Sequence, residues 1–199
     1  MKEYKLPIGC DVPETIILAD GDFPSHPLAL EWLRQCPYVV CCDGAANTYI
    51  RSGRMPEAIV GDGDSLLPDI KERYASLIHS EAEQETNDLS KAFRFCLSQE
   101  RKRITIMGAT GKREDHTIGN VSLLADYMEQ AEVSMMTDYG IFVPIREDSM
   151  FESYIGQQIS VFNMNSTALS AEGLAYPLSV FTNWWQGTLN AVSYTHLTL

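Results

Sequence analysis

Positive charge is scarce in this 199-residue chain: 15 Lys and Arg stand against 27 Asp and Glu, for a net charge of -12. That shortage argues against general binding to nucleic acid or to an anionic membrane surface. It leaves room for an anionic substrate, because a metal can bridge acidic side chains to phosphates. Long apolar runs are absent, so no segment reads as a membrane span. Met1–Val12 has no continuous apolar core, so a secretory signal is not expected and the expected location is the cytoplasm. Cysteine is sparse and unpatterned. The five residues, Cys10, Cys36, Cys41, Cys42 and Cys96, are odd in number and form no C-x-x-C pair. They are expected as small hydrophobes in a reducing compartment, not as a zinc or redox framework. Two phosphate motifs are also missing. Gly108–Arg113 has two residues where a Walker A has four, and Arg113 follows Lys112 in place of Ser or Thr. Gly61-Asp62-Gly63 is followed by Leu66 where a dinucleotide fingerprint needs glycine.

What is present is an ordinary globular composition, 45% hydrophobic, in a pattern that changes once along the chain. Short apolar runs at Thr15–Ala19, Tyr38–Cys42, Ala58–Val60, Leu77–His79, Ile104–Met107 and Val133–Met136 alternate with amphipathic segments. The latter lie near Pro27–Gln35, Ala45–Arg51, Pro68–Tyr74, Asp88–Leu97 and His116–Met128. In the last, Ile118, Val121, Leu124, Ala125 and Met128 recur at helical spacing. Alternating strands and helices predict an α/β domain over 1–138 built on a largely parallel sheet. From 139 to 199 the helical period disappears. Short strand-like runs separated by Gly, Pro, Asn and Asp predict a small all-β, sandwich-like domain.

Ligands of open α/β sheets bind at the carboxyl ends of the strands. Carboxylates fall at four successive ends: Asp43-Gly44-Ala45-Ala46-Asn47, Gly61-Asp62-Gly63-Asp64-Ser65, Gln84-Glu85-Thr86-Asn87-Asp88, and the run Gly108 to His116. One such carboxylate is an ordinary helix cap; four on one rim ask for a cation. Two carboxylates about 4 Å apart repel by ~4 kcal/mol at an effective dielectric of 20. A trio of Asp62, Asp64 and Asp88, with no His or Cys partner, suits Mg²⁺. Gly108 and Gly111, expected to open a helix, together with Lys112 and Arg113, suit phosphate.

These motifs, in this order and spacing, resemble those of thiamin pyrophosphokinases, as does Glu172-Gly173-Leu174-Ala175-Tyr176-Pro177-Leu178 in the β part. The resemblance covers roughly Glu14 to Asn190. It implies an α/β nucleotide-binding domain followed by a β-sandwich-like domain, working as a homodimer with thiamin between subunits. It implies Mg²⁺-dependent transfer of a pyrophosphoryl group from ATP to the thiamin hydroxyl. Asp62, Asp64 and Asp88 match the metal and pyrophosphate carboxylates. Asp43, with Gly44, and Asn47 match the nucleotide site. Gln84, Arg113 and Asp115 match active-site positions toward phosphate, metal or thiamin. Asn87 precedes Asp88, and Asn120 matches a position on the following helix. Asp115 could accept a hydrogen bond from the attacking hydroxyl or bind metal, and His116 could simply face the helix surface.

The chain departs from the family pattern at Gly63, usually Phe, at Asn87, commonly Thr, and at Tyr176, commonly Trp. The family's β part continues through further strands. Here 192–199 does not resemble the family's ending and is expected to be foreign, with native strands missing. Two other functions are compatible with parts of the pattern. An aspartate-based phosphatase would use Asp62 as nucleophile in Asp62-Gly63-Asp64-Ser65. A non-catalytic nucleotide- or thiamin-binding protein would keep the sites without turnover.

Overall fold

In a computed structural model the described residues are 1–7, 11–81, 83, 85–166, 168–175 and 178, with the backbone course of 191–198. Gln84, Tyr176, Pro177 and the run 179–190 lie outside them. The chain divides into two compact units, Gly9–Pro144 and Met1–Ile8 with Ile145–Leu199.

The first strand, β1 (Lys2–Tyr4), belongs to the second of these units. The Gly9–Pro144 unit then alternates strand and helix: β2 (Ile16–Leu18), α1 (Pro27–Gln35), β3 (Val39–Cys42), α2 (Ala45–Arg51), β4 (Ala58–Gly61) and α3 (Pro68–Arg73). It continues with β5 (Ile78–Ser80), α4 (Asp88–Ser98), β6 (Arg103–Met107), α5 (Glu114–Tyr127), β7 (Glu132–Met136) and β8 (Ile141–Phe142). The sheet order is β5-β4-β3-β2-β6-β7-β8, parallel throughout except for the final β7–β8 pair. The expected parallel sheet is therefore present. Its antiparallel edge strand β8 lies beyond residue 138, where the sequence pattern had suggested that the β part begins.

Strand alternation splits the core between the two sheet faces. Ile17, Val40, Val60 and Ile106 point to one side and pack with Phe93 of α4 and Leu124 and Tyr127 of α5. Ile16, Leu18, Val39, Cys41 and Ile59 point to the other and pack with Ala29, Trp32 and Leu33 of α1, Tyr49 of α2 and Ile70 of α3. All are buried, and the Phe93 and Tyr127 rings stack 3.9 Å apart. Cys41, Cys42 and Cys96 lie in this core as free thiols. Burial raises the thiols of Cys41 and Cys42 far above the usual range and that of Cys96 to about 12.

The face of α5 differs from its apolar stripe. Its buried residues are Asn120, Leu124 and Tyr127, whereas Ile118 is 56% exposed. The polar groups outcompete the stripe because each finds a buried partner. Asn120 Nδ2 donates to the Ala109 carbonyl, and the Tyr127 hydroxyl pairs with Ser90.

In the other unit β9 (Ser149–Glu152) pairs in parallel with β1, and Tyr4 stacks on Phe151. The strands β10 (Gln158–Ile159), β11 (Glu172–Leu174) and β12 (Ala191–Thr198) complete a five-stranded sheet. The backbone of β12 pairs with β9, β10 and β11, all antiparallel. The backbone of the last residues thus runs through the interior of this sheet.

Candidate active site at the switch point of the sheet

The chain leaves β2, steps outward through β3, β4 and β5, and then returns to β6 on the other side of β2. The crevice between β2 and β6 is therefore the topological switch point, where open α/β sheets bind ligands. The ladder of β2 and β6 continues into the loops that follow. Ala19 N–H donates to Met107, Gly21 N–H to Gly108 and Asp22 N–H to Thr110. A β-carbon on Gly21 would lie 2.3 Å from the Thr110 carbonyl oxygen and 2.4 Å from that of Gly108, so no larger residue fits this crossing.

The loop after β6 is a turn, not the first turn of a helix. Gly108, Gly111 and Lys112 all have positive φ, at 65°, 78° and 56°. Helical geometry cannot begin until Lys112 is passed, and α5 starts at Glu114 with Arg113 as its N-cap. The expectation that Gly108-Ala109-Thr110-Gly111 opens the helix is corrected accordingly. Lys112 Nζ reaches across the crevice to the backbone oxygen and Oδ1 of Asp20, both at 3.0 Å.

Asp43 follows β3 at φ 34° and is 4% exposed. Its Oδ2 accepts from Ser65 N–H at 3.0 Å, while its Oδ1 is buried with no hydrogen-bond partner. Burial raises its carboxyl above the usual range; the Ser65 hydrogen bonds oppose this, and the charges of Asp88 and Asp62 add to it. A β-carbon on Gly44 would lie 2.6 Å from Asp20 Oδ2, so that carboxylate covers the Gly44 backbone. Asn47 staples the next loop to α2: its Nδ2 donates to the Ser65 carbonyl, and its Oδ1 accepts from Leu67 N–H.

After β4, Asp62 Oδ1 accepts from Asp64 N–H at 3.1 Å in a tight Asx turn. Asp62 is half-buried and Asp64 exposed. The carboxyl carbons of Asp43 and Asp88 both lie 3.3 Å from the point where a β-carbon on Gly61 would sit. Asp88 opens α4, and its Oδ1 meets Lys91 Nζ at 3.1 Å. Asn87 caps that helix through Ser90 N–H and donates to Asn120 Oδ1. Asn120 in turn binds Ala109, so Asn87, Asn120 and the β6 loop form one polar chain.

Arg113 and Asp115 stand apart from this set. They are exposed and bind each other through two hydrogen bonds, of 3.1 and 2.6 Å. The pair lowers the Asp115 carboxyl and raises the Arg113 guanidinium.

The donors fit a hard divalent cation in chemistry. They are all carboxylate oxygens, and Asp43 supplies one that is buried and unpaired. Among the described residues no three such side chains converge closely enough to form a closed metal cage. Mg²⁺ does not need one, since it completes its shell with water and phosphate oxygens. Sequence reading missed Asp20, Gly21, Asp22 and Lys91. Asp20-Gly21-Asp22 carries the same signal as Asp62-Gly63-Asp64, an acid–glycine–acid run directly after a buried strand.

The fold and this rim define a doubly wound α/β protein with an acidic crevice suited to a metal-bridged, phosphate-bearing ligand. Two family models match in tandem: "Thiamin pyrophosphokinase, catalytic domain" over residues 29–136 and "Thiamin pyrophosphokinase, substrate-binding domain" over 140–199. The chain belongs to the thiamin pyrophosphokinase family. Thiamine pyrophosphokinase 1 of Oryza sativa subsp. japonica is 30% identical over 129 residues, covering 52% of this chain and 49% of that protein. Thiamine pyrophosphokinase of Bacillus subtilis is 34% identical over 86 residues, covering 41% and 40%. The chain spans about half the length of the curated relatives it matches. In fold it is similar to thiamin pyrophosphokinase from Candida albicans, with a TM-score of 0.75 at 19% identity over 99% of this chain and 88% of that one. The yeast enzyme gives 0.71 at 17% identity, over 99% and 90%.

Proposed function

We propose that the chain transfers a pyrophosphoryl group from ATP to the hydroxyl of thiamin, with Mg²⁺, releasing AMP. The observation that carries this reading is the tandem match of catalytic and substrate-binding family models on a chain whose switch-point rim is lined by carboxylates. The α/β unit takes ATP and the β unit contributes to thiamin binding. The working form is a cytoplasmic homodimer.

Asp62, Asp64 and Asp88 would hold Mg²⁺. When bound, the ion neutralises phosphate charge and stabilises the charge that develops in transfer. Asp43, Gly44, Asn47, Asn87, Gly108, Gly111 and Asn120 would line or support the nucleotide site, and Gln84 would serve it as its family motif implies. The thiamin oxygen attacks the β-phosphorus, and the bond from that phosphorus to the oxygen it shares with the α-phosphorus breaks. AMP leaves with that oxygen. Arg113 holds phosphate oxygens through its planar fork. Asp115 engages two of its five N–H donors, and a phosphate that takes that edge of Arg113 displaces Asp115. The freed carboxylate can then accept the hydrogen bond, or the proton, of the attacking hydroxyl.

Incubation with Mg-ATP and thiamin, followed by phosphorus NMR, tests the reading. AMP and thiamin pyrophosphate should appear in equal amounts. ADP with thiamin monophosphate as main products would overturn it. A phosphorylated aspartate would point to a phosphatase, and binding of both ligands without products to a sensor.

A further inference from the structure

Lys91 is a buried cation that the proposed reaction does not yet use. Its side chain is 3% exposed, and it sits in the first turn of α4. That is an unfavourable place for positive charge, because the amino end of a helix is itself positive. Desolvation adds to the cost of burying an ammonium, so a compensating anion is needed. Asp88 supplies it at 3.1 Å, and the carboxyl carbons of Asp88 and Asp43 both lie 3.3 Å from the β-carbon position of Gly61. An ammonium carries three N–H donors, and Asp88 is its side-chain partner among the described residues.

We propose that Lys91 is a positioning residue that competes with the divalent cation for Asp88 and, once displaced, turns its ammonium to a phosphate oxygen of the bound nucleotide. It holds the Asp88 carboxylate at the rim until metal and phosphate arrive together, which disfavours metal binding without nucleotide. The inference rests on the reading that Asp88 ligates the metal.

Binding of Mn²⁺ to the full chain, followed by electron paramagnetic resonance without and with a non-hydrolysable ATP analogue, tests it. Without nucleotide, K91M and the more hydrophilic K91Q should bind Mn²⁺ tighter, on the order of tenfold, since a repelling unit charge at close range is removed. K91R should stay within about twofold of the unmodified chain, because a cation is retained. With the analogue present the order reverses: K91M and K91Q hold metal and nucleotide more weakly. D88N should weaken Mn²⁺ binding and abolish the effect of K91Q. If D88N weakens binding but folded K91M or K91Q, judged by circular dichroism, binds Mn²⁺ no tighter, the role of Lys91 is overturned while the metal reading survives. If D88N leaves Mn²⁺ binding unchanged, both fall.

Discussion

Single carboxylates carry two opposed demands, charge for chemistry and neutrality for folding. Asp62→Asn, Asp64→Asn and Asp88→Asn should each reduce pyrophosphoryl transfer by on the order of a hundredfold, similar to losing one strong electrostatic stabiliser. Folding should be kept in Asp62→Asn and Asp64→Asn, since like-charge repulsion is relieved, whereas Asp88→Asn leaves the buried Lys91 without its anion and should lose stability; full activity in all three would remove them from the metal site. Asp43 gives a pH signature. Its carboxyl is raised by burial, so the folded state favours its protonated form. The stability this contributes is present in full below the ordinary carboxyl value and is lost as pH rises through the raised one. Asp43→Asn should therefore melt higher than the unmodified chain at about pH 7, with the advantage vanishing toward about pH 4. Melting curves across that range check it, and an advantage independent of pH would assign the gain to packing instead.

At the scale of elements, loops and caps hold the rim in place. Gly21→Ala would drive a methyl group into two carbonyl oxygens of the β6 loop, neither of which is a movable side-chain tip. A loss of about 3 kcal/mol is expected, with weaker nucleotide binding; denaturant unfolding and titration with ATP would measure both. Asn87→Ala removes the cap of α4 and the link to Asn120. Its expected cost is about 1–2 kcal/mol, and because Asp88 opens the same helix, metal binding should weaken too. The helix boundaries were largely legible: α1 and α2 have the spans that the apolar periods predicted. The start of α5 was not, because the positive φ at Lys112 leaves no mark in the local pattern.

For the whole molecule, the division into units sets what can fold alone. The Gly9–Pro144 unit contains both core clusters and the entire seven-stranded sheet. Expressed by itself it should unfold cooperatively and bind Mg-ATP, but bind thiamin poorly. Calorimetry with each ligand decides this, and tight thiamin binding would place that site in the α/β unit. The complementary unit joins Met1–Ile8 to Ile145–Leu199, so deleting β1 should destabilise the β part through loss of its pairing with β9.

The amino-acid sequence by itself determined the strand–helix alternation, the acidic motifs and the family, because periodicity and short acid–glycine runs are local properties of the chain. It also implied the rim, since every motif follows a strand and parallel strands align their carboxyl ends. Tertiary structure alone decided which motifs meet. The return of the chain from β5 to β6 puts Asp20-Gly21-Asp22 against Gly108–Lys112, although almost ninety positions separate Asp20 from Gly108. It decided that β1 joins the last strands, that Asn120 outcompetes Ile118 for the interior, and that a lysine reading as an ordinary helix residue is buried against Asp88. The Lys91–Asp88 pair is local on α4 and only its burial needed the fold; the others depend on partners farther away in the chain, and pairing to such a partner has no period to read.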